Sequence, residues 1–150
     1  MSVSRRTLLA LVPVAWAGSI TAAMAAPMKF SVPLTGAQQV PPVSTTGAGT
    51  ANMAFDPATR ELTWSISFSG LSSEATMAHI HGPAAAGKNA GVEIWLSKKD
   101  KTPPTSPFSG TATLTEAQAK QLMAGEMYVN VHSKTHPGGE IRGQIVPSKG

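Results

Sequence analysis

Two packed antiparallel β-sheets joined by one short helical connection are the fold this sequence predicts. Three observations carry that expectation. Charged residues make up only 13% of the chain while Gly (14) and Pro (12) are plentiful, a composition of turn-rich all-β domains rather than helical bundles. Apolar residues alternate with polar ones over short runs, the period of a half-buried strand. Clusters of Gly, Pro, Asp and Asn separate those runs. At 150 residues the length suits a single domain with one core.

The first segment reads as an address rather than as structure. Arg5-Arg6 precede an apolar run over 8–17, and small residues end in Ala23-Met24-Ala25, the pattern of a cleaved export signal over residues 1–25. Ser4-Arg5-Arg6-Thr7-Leu8-Leu9-Ala10 also resembles a twin-arginine signal. An ordinary secretory leader or an uncleaved anchor is the alternative, and each places the domain of residues 26–150 outside the cytoplasm, periplasmic or secreted. After cleavage no membrane segment is expected.

The strands follow in order. Residues 28–34 alternate weakly and stop at Gly36, and Val40-Pro41-Pro42 cannot continue a central ladder because proline has no N–H to donate. Residues 49–55 and 62–68 flank Asp56-Pro57-Ala58-Thr59, a hairpin around a type I turn with proline at its second position. Trp64, Ile66 and Phe68 share a face, which should be core. The next strand, 75–81, places Ala78 and Ile80 on one side and Met77, His79 and His81 on the other. Residues 91–96 follow, with Val92, Ile94 and Leu96 expected to be buried opposite Glu93 and Trp95.

Residues 98–107 form a polar, proline-rich crossing loop before a strand at 108–114. Thr115 and Gln118 spell a capping box that opens the one helix, Gly125 closes it, and Leu122 with Met123 should dock it. The last strands are 126–132 and 140–146, separated by Pro137-Gly138-Gly139. In the first of them Val129 and Val131 face opposite to Tyr128, Asn130 and His132.

Absences narrow the chemistry. With no cysteine there is no disulfide, no thiolate nucleophile, no zinc ribbon and no blue-copper site. Without Arg5 and Arg6 the balance is +2, which names no partner; Lys98, Lys99 and Lys101 lack interleaved aromatics, so no nucleic acid is expected. Gly82–Asn89 nearly matches a phosphate-cradling loop. Asn89 replaces the required hydroxyl, Pro83 removes an amide donor and a strand follows where a helix is needed, so no nucleotide is expected either.

All four histidines lie in two stretches, MAHIHG at 77–82 and NVHSKTHPGGEIRGQ at 130–144. His79 and His81, two apart on a strand, leave the same face with Cα atoms roughly 6.5–7 Å apart. If the fold brings in His132 and His136, four imidazoles converge as metal ligands. Copper suits such a set by ligand type and affinity order; zinc, bound tetrahedrally, is the alternative. Met77 would add a soft ligand for Cu(I), and Asn130 and Glu140 are candidates for fixing the imidazole tautomers. The plain alternative is that the histidines staple loops by hydrogen bonds to backbone carbonyls and bind nothing. For Arg142 a structural salt bridge is expected.

LTGAQQVPPVSTTGAGTANMAFDPATRELTWSISFSGL, then AHIHGPA, then GEMYVNVHSKTHPGGEIRGQI resemble, block by block, the chordin-type (CHRD) domain. The resemblance spans about residues 28–146. It implies a Greek-key antiparallel β-sandwich, immunoglobulin-like or Cu/Zn superoxide dismutase-like, and matches His79, His81 and His132 to family histidines. His136 falls at a variable position, so its role rests on this sequence alone.

Three functions are compatible with these residues. The first is an exported metal-binding protein that buffers, carries or confers resistance to copper. The second is a non-catalytic interaction module with structural histidines and an unknown protein partner. The third is a copper-dependent redox enzyme of dismutase type. Catalysis is not expected: Asp56 sits in a turn and Asp100 in a lysine-rich loop, neither placed to hold a neighbouring zinc, and no other catalytic constellation is present.

Overall fold

A computed structural model describes residues 26–100 and 102–147; the leader expected over 1–25 lies outside the described residues. The elements in chain order are β1 (Met28–Thr35), a short 3-10 turn (Gly36–Gln38), β2 (Ala48–Asp56), β3 (Glu61–Ser69), β4 (Ala75–His81), β5 (Val92–Trp95), β6 (Phe108–Thr113), α1 (Glu116–Met123), β7 (Met127–Ser133) and β8 (Ile141–Ile145). All strand pairs are antiparallel, in the order β5-β4-β7-β8-β1-β2-β3-β6. β1 and β8 meet at a single register pair, Thr35 with Arg142. That seam divides the ladder into two four-stranded halves, and the links β3–β4, β5–β6 and β6–α1–β7 cross between them. The result is the expected Greek-key sandwich.

One apolar cluster fills the space between the halves. Phe30, Val32, Leu34, Met53, Phe55, Leu62, Trp64 and Ile66 come from one side; Ala78, Ile80, Ile94, Val129, Val131, Ile141 and Ile145 come from the other. Alternation in each strand supplies these residues from a single face. Thr115 and Gln118 make both bonds of the capping box, Gly125 takes a positive φ of 73°, and Leu122 docks α1 on the core.

Two packing expectations differ. Val92 is 46% exposed although Ile94 and Leu96 are buried, because the β4–β5 register shifts between Ile80 and His81 and turns the start of β5 outward. Met123 is likewise exposed, the last residue of a helix that docks through Leu122. Among the described residues no helix is long and apolar enough to cross a membrane.

Candidate metal centre

β7 is buried along its whole length. Its core face carries Val129 and Val131; its outer face carries Tyr128, Asn130 and His132. β4 lies beside it with Met77 paired to His132, His79 to Asn130 and His81 to Tyr128. Alternation on two adjacent strands therefore builds a second, polar and aromatic layer on the outside of the β5-β4-β7-β8 half. Loops bury it: contacts come from Gln39, from residues 88–90 and from residues 137–138. His79, His81 and His132 are all under 9% exposed.

Each of these histidines offers a ring nitrogen within 4.8 Å of one from each of the others. His79 Nδ1 stands 3.1 Å from His132 Nε2. Two neighbouring ligands each about 2.0–2.1 Å from one ion stand roughly 2.9–3.4 Å apart, so this pair is spaced as ligands of a common metal. Without an ion, one proton must lie between the two nitrogens, donated by His79 Nδ1–H to His132 Nε2. With an ion there, His79 takes the other tautomer.

Backbone carbonyls set the remaining tautomers. His81 Nδ1 donates to Ala90 O at 3.0 Å and His132 Nδ1 to Pro137 O at 2.9 Å. A carbonyl only accepts, so the hydrogen sits on Nδ1 and both Nε2 atoms keep a lone pair. His81 Nε2 and His79 Nε2 are buried without a hydrogen-bond partner. His81 Nε2, together with His79 Nδ1 and His132 Nε2, makes a set of neutral imidazole donors that fits a borderline metal ion.

The surroundings keep the rings neutral. Burial lowers the His79 pKa from 6.5 to about 4, with His132 and His81 adding to the effect. Burial also lowers His81, against the raising effect of its bond to Ala90, and His132 and Arg142 push the same way as burial. His132 is lowered by burial against the raising effect of Pro137. His81 stacks on Tyr128, 5.0 Å between ring centroids and 3° between planes, while the Arg142 guanidinium carbon lies 3.4 Å from the centre of the Tyr128 ring. Trp95 meets His79 edge to face at 4.3 Å.

His136 lies outside the three-imidazole set. The chain turns sharply after β7: Ser133 N and Gly139 N donate to His136 O, and His136 N donates to Ser133 Oγ, so this residue contributes its backbone to the loop. Met77 is half-buried on the histidine face, opposite His132.

Neither Asn130 nor Glu140 hydrogen-bonds an imidazole, although Asn130 pairs with His79 across the β4–β7 ladder. Asn130 accepts from Gln39 Nε2 at 2.7 Å and donates to Gly138 O, which steadies the loop that presents Pro137 O. Glu140 is fully buried and accepts from Thr45 Oγ1, Ser72 N, Ser72 Oγ and Ser133 Oγ. Arg142 makes no salt bridge among the described residues, whose ion pairs are Lys120–Glu116 and Lys134–Glu74. It donates instead to Asn89 Oδ1 and Lys88 O. The expected ion pair for Arg142 is thus replaced by neutral acceptors and a π face.

The CHRD domain family matches residues 30–145, from within β1 to the end of β8. The chain belongs to the CHRD domain family. No curated protein and no solved structure matches it significantly. All three clustered histidines fall inside the CHRD match.

Bonds from the histidines to backbone carbonyls were one expectation, but the identity of those carbonyls, Ala90 O and Pro137 O, and the packing of Tyr128 and Trp95 on the rings were not legible in the sequence. Alternation alone places Tyr128 and Trp95 on the outer faces of β7 and β5. Only the pairing of β4 with both strands makes them neighbours of the rings.

Proposed function

We propose that this CHRD domain is an exported metal-binding protein whose preferred ion is copper, held by His79, His81 and His132. The observation that carries the proposal is the 3.1 Å approach of His79 Nδ1 to His132 Nε2 beside the partnerless, buried His81 Nε2. Three neutral imidazoles favour copper over the other divalent first-row ions by affinity order, and Met77 on the same face offers a thioether to Cu(I). Zinc is the competing ion. The twin-arginine-like leader supports export, and binding rather than turnover is the proposed role: buffering, carriage or resistance.

The structural alternative also has an observation in its favour. His81 and His132 do staple loops, through Ala90 O and Pro137 O. Those bonds use only Nδ1, so stapling and ligation are compatible in the same ring. Competition titrations of the purified protein against chromophoric chelators for Cu(I), Cu(II) and Zn(II) separate the two. Stoichiometric binding that is weakened at least tenfold in His81→Ala and unchanged in His136→Ala is expected. Stapling alone gives no saturable binding for any of the three ions.

A further inference from the structure

Arg142 is 2% exposed, and a buried guanidinium without an anion beside it is costly. Its nearest acid in sequence, Glu140, spends both oxygens on Thr45, Ser72 and Ser133. No carboxylate among the described residues comes within 4.0 Å of Arg142. Guanidinium has five N–H donors in a planar fork, and the described contacts use one on Nη1, to Asn89 Oδ1, and one on Nη2, to Lys88 O. The charge is therefore desolvated but not neutralised.

Arg142 also lines a recess of about 340 Å³ between the 36–42 segment and the loop after β4. Its other walls include Gln38, Gln39 and Gln144 and the apolar Val40 and Pro42, with Ala86 and Gly87 on the exposed rim. None of the three clustered histidines lines it, so it is separate from the metal centre. Both Gln144 Nε2 hydrogens are committed, to Ala84 O and Gly125 O, and Gln39 Nε2 is held by Asn130. The walls are thus held in place by the fold. Arg142 is their one charged member.

We propose that this recess binds a small monocarboxylate, its two oxygens on the free N–H groups of Arg142 and its short aliphatic tail against Val40 and Pro42. A single planar cation matches a planar monoanion in charge and geometry. A phosphate or sulfate dianion would want a second cation in the walls, where none is found.

The test is a nitrogen–proton NMR titration of the purified protein with acetate, propionate and inorganic phosphate at constant ionic strength. Saturable shifts are expected for the backbone amides of Gln39, Ala86 and Gly87 and for the Arg142 guanidinium. Propionate should bind up to about fourfold tighter than acetate, the worth of one buried methylene. Because Arg142 is buried and its replacement endangers the fold, the variant of choice is Ala86→Asp on the exposed rim, which puts a carboxylate beside the recess and should abolish the shifts. Absence of saturable shifts at the recess, shifts that persist in Ala86→Asp, or a preference for phosphate over both carboxylates overturns the proposal.

Discussion

His79 Nδ1 and His132 Nε2 approach to 3.1 Å across adjacent antiparallel strands, although 53 residues separate them in sequence. The contact holds either a shared proton or a shared cation. That choice makes the tautomer of His79 a reporter: Nδ1–H in the metal-free protein and Nε2–H when an ion binds. Nitrogen NMR of the imidazoles should show this exchange of proton position on adding metal. Unchanged tautomers at saturation would place the ion elsewhere.

The ligand roles are not equal. Replacing His81 or His132 by alanine removes a lone pair whose orientation a carbonyl fixes, and should cost at least tenfold in metal affinity for each. His136→Ala should change affinity less than twofold, since His136 supplies only backbone contacts to the cluster side of its loop. Chelator competition on the three variants measures these ratios.

Acid should destabilise the metal-free domain in a defined window. A histidine with a depressed folded pKa binds fewer protons than its unfolded counterpart, so stability is lost as pH falls below about 6.5, and for His79 the loss continues to about 4. His81 and His132, lowered as well, add to the slope. Each contributes at most about 1.4 kcal/mol per pH unit while its two states differ by a full proton. Denaturant melts between pH 4 and 7 should show the decline, and His79→Gln should flatten it.

Half of this site was legible in the sequence. The strand 75–81 and the shared face of Met77, His79 and His81 follow from local alternation, and the structure has that strand with the same bounds. The meeting of β4 with β7 is a long-range pairing, which the family resemblance implied and periodicity did not. His136 is a candidate by sequence because it shares the second histidine stretch with His132. The turn closed by Ser133 and Gly139 leaves it outside the cluster. Asn130 and Glu140 have the chemistry to orient imidazoles, but loop carbonyls reach the Nδ1 positions instead. Which carbonyl a loop presents depends on its full backbone path, and no residue type signals it.

Gly139 ties the loop to the site. Its φ is +116°, and a Cβ there would collide with the Asn130 side chain, which accepts from Gln39 and donates to Gly138. Gly139→Ala should cost about 2–4 kcal/mol and should also weaken metal binding by shifting Pro137 O away from His132. A variant as stable as the parent would show that the loop tolerates another path.

Glu140 is the polar anchor of three segments. Burial alone would raise its pKa, but the bonds from Ser133, Thr45 and Ser72 outweigh that and hold it below the usual range. Its stabilisation is therefore present above an unfolded pKa of 4.5 and lost as pH falls through the folded value. Glu140→Ala orphans the donors around it and should cost about 3–5 kcal/mol. Glu140→Gln should cost less, roughly 1–2 kcal/mol, because the serine hydroxyls can turn to accept from the amide. Thermal melts of both variants test the ordering.

Pulsed electron paramagnetic resonance on the stoichiometric Cu(II) complex tests the metal centre most directly, because it counts the imidazoles on the ion. Three imidazoles in the parent, two in His132→Ala and three in His136→Ala is the predicted set. A spectrum from exposed sites alone, or one unchanged by His79→Ala, His81→Ala and His132→Ala, would contradict it.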